Sequence, residues 1–230
     1  MEYDDIIDLI ASNDPTLPLI LHEMWRGKSL TRTLVNARLK NIELPKKVLD
    51  LGARDKLSSY YRFFSHQNAN VTFTDIDPKD QGMIHVDLEQ SLPFYDQSYD
   101  ALLLMFVLNY IWEAGPLLTE MRRVTRGWAI IATSFVEQWN PEPYDWHRFT
   151  GQGLERLALE AGWRQARVFS IGLGPFTLAL TALQQSAFAS RPAAVVFPLV
   201  WAADALCTLL AHKRIANKCT VAHLLVLDGR

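Results

Sequence analysis

From Lys47 onward, short apolar runs alternate with amphipathic stretches, the pattern of a parallel sheet whose strands are joined by helices packed on its faces. The runs at 48–51, 71–75, 83–86, 101–106 and 128–133 read as five strands in chain order. Between the last two, Leu117, Leu118, Met121 and Val124 recur at helical spacing with Glu120, Arg122 and Arg123 turned outward, which predicts a crossover helix. A polar, aromatic loop over 137–148 leads to a helix with Thr150 as its N-cap and an end near Gly162. Runs at 167–171 and 221–227 supply a sixth and a seventh strand. The interval between them, 175–218, is far longer than a hairpin needs and reads as a helical insertion placed to cover a ligand. Ahead of the sheet, 1–41 reads as helical, with one stripe at Ile6, Ile7, Leu9 and Ile10 and another at Leu30, Leu34, Val35 and Leu39, separated by Pro15 and Pro18.

The expected architecture is therefore α/β, a Rossmann-like, seven-stranded, mostly parallel sheet flanked by helices. N-terminal helices (1–41), a sheet core (47–171), a helical insertion (175–218) and a last strand (219–230) make up one domain. Composition fits this. The 230 residues are 49% hydrophobic and 21% charged with net charge −2, so nothing draws the chain to nucleic acid. Two cysteines, Cys207 and Cys219, are too few for a disulfide framework or a cysteine-based zinc site, and the histidines show no metal spacing. The acidic start, Met1 to Asp8, does not read as a secretory signal, and a cytoplasmic location is expected. The one membrane-like stretch, 193–211, contains Pro198 and Asp204 and runs into His212, Lys213 and Arg214. A buried helix is its simplest reading, a helix resting on a membrane face comes second, and a membrane-spanning helix ranks last.

In an open parallel sheet, ligands bind outside the carboxyl ends of the strands where strand order reverses. Asp50-Leu51-Gly52 ends the first strand, where glycine lets backbone approach a ligand and a following helix start would offer free N–H groups. Asp75-Ile76-Asp77 ends the second, where a carboxylate can accept both hydrogen bonds of a ribose diol, and Asp87-Leu88 follows the third, where one can take an adenine amino group. Each Asp alone is equally a turn or cap residue. Their order and spacing carry the inference.

These stretches resemble the class I S-adenosylmethionine-dependent methyltransferases, and within them the small type 11 branch. Residues 48–52, Val-Leu-Asp-Leu-Gly, are similar to that family's glycine motif, and Asp75-Ile76-Asp77 to its ribose-binding end. Leu92-Pro93-Phe94 through Ser98-Tyr99-Asp100 resembles the run into its fourth strand, Leu108-Asn109-Tyr110-Ile111 lies where it often has Leu-x-His-Val, and residues 120–124 resemble its next helix. The resemblance implies S-adenosyl-L-methionine as cofactor. Asp50, Gly52 and Ala53 would hold its methionine part, Asp75 its ribose with Ile76 against the adenine, Asp87 and Leu88 the adenine edge, and backbone at Leu104 and Met105 the amino-acid end. The family writes Gly-x-Gly-x-Gly after the first strand. Here two of those glycines are Arg54 and Lys56.

Residues 145–150, Asp-Trp-His-Arg-Phe-Thr, resemble the "D-x-x-R-F/Y-T" run of type 11 proteins that modify sugars, lipids or other small molecules. His147 is the candidate general base, and Arg148 the candidate grip on a carboxylate or phosphate. The plain alternatives are a loop histidine, and an arginine paired with a nearby acid. Tyr110 is a candidate pocket wall, and Trp112, Trp139, Tyr144 and Trp146 an aromatic rim for a sugar or other flat acceptor. The expected activity is methyl transfer to an oxygen, with nitrogen second, of a small molecule, sugar or lipid-linked glycan. A methyltransferase-like module without catalysis is the alternative. A nicotinamide-dependent oxidoreductase ranks last, because its Gly-x-Gly-x-x-Gly fingerprint is missing.

Overall fold

The computed structural model describes residues 1–56, 58–140, 144–186, 190–210 and 218–230. Three helices open the chain, α1 (Tyr3–Ser12), α2 (Leu17–Trp25) and α3 (Leu30–Arg38). The single break expected at Pro15 and Pro18 divides differently: Pro15 lies between helices, while Pro18 sits in the first turn of α2, where a missing N–H costs nothing. The strands are β1 (Lys47–Leu51), β2 (Asn70–Asp75), β3 (Ile84–His85), β4 (Tyr99–Met105), β5 (Thr125–Ser134), β6 (Gln165–Ile171) and β7 (Ala222–Asp228). Their spatial order is β3-β2-β1-β4-β5-β7-β6, all parallel except β7, which runs antiparallel to β5 and β6. The order reverses between β1 and β4, the place where such sheets bind ligands. The expected seven-stranded α/β sheet is thus present, with β5 longer than its apolar run and β3 cut to a two-residue edge strand.

Alternation along the strands sends side chains to two cores. Val48, Ala101, Leu103, Ile130 and Val226 face a core shared with α1–α3. Leu49, Leu102, Leu104, Ile131 and Leu225 face one shared with α4 (Ala114–Val124), the expected crossover helix, and α5 (Gly151–Glu160). Thr150 caps α5 by accepting a hydrogen bond from Gly153 N–H at 3.1 Å, and Gly162, at φ +87°, ends it. The insertion supplies α6 (Pro175–Ser186) and α7 (Ser190–Leu210), which join the N-terminal helices on the first face, α7 lying along α2. The cationic run at 212–214 lies outside the described residues.

The β1–β2 crossover departs from expectation. No α-helix follows Gly52; the described residues form turns and a 3-10 segment at Ser59–Arg62. Tyr60, Tyr61, Phe63 and Phe64 are all buried there, so the segment lacks the polar face a surface helix needs and packs as an aromatic wedge under α3.

Candidate active site

Register places the tips of the central strands side by side. Asp50 pairs with Phe73 and Leu103, Leu51 with Leu104, and Asp75 with His85. Gly52, Asp75 and Met105 therefore stand at one level at the carboxyl edge, with Asp87 just beyond. At roughly 4.8 Å per strand, the β3–β4 tips span the length of a nucleoside.

Gly52 adopts φ +68°, and a Cβ there would come within 2.6 Å of Val107 Cγ2, so only glycine lets the β4 tip close over the β1 turn. Arg54 also sits in the left-handed region, at φ +59°. The backbone form that glycine would favour is kept despite the side chain, and Arg54 N–H is held by Asp75 Oδ2 at 2.8 Å. Asp75 Oδ1 accepts from Asp77 N–H at 2.9 Å. Lys56 ties the same two loops together, its N–H donating to Asp80 Oδ2 at 2.8 Å and its ammonium to Gln81 O at 2.6 Å. Arg54 and Lys56 thus fasten the β1 loop to the β2 loop. Ile76 is exposed beside them, Asp87 accepts from Glu89 N–H at 3.0 Å, and Leu88 is half-buried. Ala53 is buried, its N–H donating to Thr74 O at 2.9 Å, and Leu104 and Met105 are buried at the end of β4.

Asp50 differs from its expected place. It is fully buried, and its Oδ2 accepts from the hydroxyls of Tyr60 at 2.7 Å and Tyr61 at 2.6 Å. Its other oxygen has no hydrogen-bond partner among the described residues. Burial pushes its carboxyl up to about 7, against the pull of the two hydroxyls. Asp50 organises the aromatic wedge.

Beyond β4, Phe106 takes φ +63°, a strained form for a bulky residue, and Arg32 of α3 lays its guanidinium 5.2 Å from the centre of that ring. Asn109, fully buried, fastens the aromatic loop: its Nδ2 donates to Ser134 O at 3.0 Å and His147 O at 2.8 Å, while its backbone carbonyl accepts from the Trp146 and His147 amides. His147 Nε2 lies 3.0 Å from Trp112 O, so that nitrogen carries the proton and Nδ1 is the basic one. Trp112 stacks on the imidazole and meets Trp146 edge-on at 4.8 Å, and Tyr144 leans on Trp146 at 5.2 Å. Trp112, Tyr144 and Trp146 thus lie together, and Trp139 is exposed. Of two open grooves of about 350 and 440 Å³, one lies at the amino ends of β1 and β2 and the other at the carboxyl edge over β6, β7 and α5, away from the β1–β3 tips, so the switch point rather than groove size marks the candidate site.

A family model described as a methyltransferase domain, of type 11, matches residues 49–132. Over this segment, from β1 to β5, the chain is similar to the type 11 methyltransferases. Among curated proteins, none matches the chain. Several solved structures share its fold. A chain from the Haloferax volcanii complex of the Trm112 methyltransferase activator with a putative methyltransferase is 15% identical, with TM-score 0.55 over 91% of this chain and 92% of that one. The [4+2]-cyclase SpnF is also 15% identical, with TM-score 0.53 over 86% and 81%. A Haemonchus contortus phosphoethanolamine N-methyltransferase 2, solved with S-adenosylhomocysteine, is 13% identical, with TM-score 0.51 over 86% of this chain and 52% of that one.

Arg148 lies beyond the matched segment, and its own contacts show what it holds. Its guanidinium grips both carboxylate oxygens of Asp145, whose side chain is buried, and also donates to His147 O at 2.9 Å. It pins the loop and has no fork left for a ligand. Arg32, over the Phe106 ring, also stands near this end of the sheet, where its charge acts on both Tyr60 and Glu137. Glu137 is raised by burial, partly offset by a hydrogen bond from Ser134, and Tyr110 is raised by burial and by the Glu137 charge. Arg32, Phe106, Asn109 and Glu137 escape a reading based on strand tips. Arg32 comes from a helix far away in sequence, and nothing in the run around Phe106 marks a positive φ.

Proposed function

We propose that the chain is an S-adenosylmethionine-dependent methyltransferase acting on an oxygen, with nitrogen second, of a small molecule, sugar or lipid-linked glycan in the cytoplasm. The observation that carries this reading is the alignment of Gly52, Asp75 and Met105 at one level, beside Asp87, at the switch point of a type 11 methyltransferase domain. The residues fit the cofactor: the carboxylates of Asp75 and Asp87 keep lone pairs after their backbone bonds, and one oxygen of buried Asp50 has no donor among the described residues. Asp75 would hold the ribose, Ile76 the adenine face, Asp87 and Leu88 the adenine edge, and backbone at Leu104 and Met105 the amino-acid end. When bound, the cofactor supplies a methyl group on a sulfonium, a leaving group that needs little covalent help.

The protein's work is then alignment, exclusion of water and proton removal. The Trp112, Tyr144 and Trp146 rim offers rings on which an acceptor stacks, Tyr110 walls the pocket, and His147 takes the acceptor proton at Nδ1 while Nε2–H stays on Trp112 O. Arg32 is placed to attract an anionic group on the acceptor. A non-catalytic binding module is the second reading, favoured by Asp75, which already accepts two backbone N–H groups. Crystals grown with S-adenosylhomocysteine test the primary reading. Adenosine density between Asp75 and Asp87, with sulfur facing the His147 loop, is expected. Density absent from the strand tips, or filled there by Arg54 and Lys56, would refute it.

A further inference from the structure

Helix α7 is 21 residues long, about 31 Å, yet only 22% of its most apolar 18-residue window is buried. Its inward side is explained: Ala193, Ala194 and Phe197 pack into the core, and Asp204 accepts from the Phe176 and Thr177 amides at 2.9 Å each, capping α6. The outward side carries Val195, Val196, Leu199, Ala202, Ala205, Leu206, Leu209 and Leu210, all exposed, with Leu199 at 75% and Leu209 and Leu210 at 70%. At 3.6 residues per turn these cover about 180° of the helix. No charged side chain lies among them. The seam of a two-helix coiled coil is narrower, two positions in seven, so a second copy of α7 would leave much of this face in water.

Charge selects the partner. From 172 to 227 the sequence carries Arg191, Lys213, Arg214 and Lys218 against the single acid Asp204, in a chain whose net charge is −2. Arg191 stands at the start of the helix and donates to Trp25 O at 3.2 Å, and Trp25 is itself exposed. An apolar face with Arg191 and an exposed tryptophan at one end, in a stretch of sequence whose charge is net positive, has the chemistry of an interfacial helix on an anionic leaflet. Because its other side is packed on α2 and α6, the helix lies in the plane of the surface and does not cross it. The same unit touches the active site: Gln184 Oε1 accepts from Leu30 N–H at 2.8 Å, two residues from Arg32, and Gln185 donates to Val136 O at 2.9 Å, next to Glu137.

We propose that the outward face of α7 docks the protein on an anionic lipid surface, setting the Arg32 and Glu137 end of the site close to that surface. This docking is independent of the reaction assigned to the strand tips. Flotation of the full chain with vesicles tests it, using phosphatidylcholine alone and phosphatidylcholine with about one third phosphatidylglycerol. The protein is expected to float with the mixed vesicles, at least about tenfold more weakly with neutral ones or in high salt. Leu199→Glu with Leu206→Glu should abolish flotation while leaving the circular dichroism unchanged, and the milder Val195→Ser with Leu199→Ser should weaken it. Protein that stays in the dense fraction with mixed vesicles overturns the proposal, whether light scattering then shows a monomer or a second copy seated on α7. Folded glutamate or serine variants that float like the native chain overturn it as well.

Discussion

Arg54 holds a left-handed backbone that costs a non-glycine residue about 1–2 kcal/mol. The Asp75 hydrogen bond and the Lys56 contacts offset that cost, so the loop is preserved by different means from those glycine supplies. Arg54→Gly should relieve the strain, partly cancelled by the entropy glycine adds to the unfolded chain, and raise stability by about 0.5–1 kcal/mol in urea unfolding. Asp50 gives a pH signature. Its folded carboxyl, near 7, lies above the usual value of 3.8, so between those limits the folded state holds a proton that the unfolded state has released. Its contribution is therefore present at low pH and is lost as pH rises through about 7. Asp50→Asn, neutral at every pH, should flatten the decline and gain relative stability at pH 8, read from unfolding midpoints across pH 4–8. An unchanged slope would show that another group dominates.

At the scale of elements, two side chains join segments distant in sequence. Asn109 ties the 144–149 loop to the ends of β4 and β5, so Asn109→Ala should cost about 2–3 kcal/mol, two carbonyls losing their donor, and speed amide exchange at Trp146 and His147. Asp204, the one acid in an apolar helix, caps α6, so Asp204→Ala should lower stability by about 1–2 kcal/mol in thermal unfolding. The strands, α4, and α5 with its caps were legible because alternation, helical spacing and Thr150 are local signals. The β1–β2 crossover was not, because a run with buried Tyr60, Tyr61, Phe63 and Phe64 reads the same as an apolar helix until the partner surface, α3, is known. Arg148 likewise offered two readings, and the buried Asp145 carboxylate three residues away decided between them.

For the whole molecule, the sheet order puts the switch point between β1 and β4, while α1–α3, α6 and α7 gather on one face and close toward the same carboxyl edge. That gathering brings Arg32 to Phe106 and Gln185 to Val136, contacts between parts of the chain that no local pattern connects. The type 11 match covers residues 49–132, and the N-terminal helices and the insertion lie outside it. Isothermal calorimetry with S-adenosylhomocysteine tests the claim for those tips most directly. Saturable binding at one site per chain is expected, weakened by about 1–3 kcal/mol in Asp75→Ala through loss of charge-assisted hydrogen bonds. The absence of binding at millimolar ligand, or an affinity indifferent to Asp75, would contradict it.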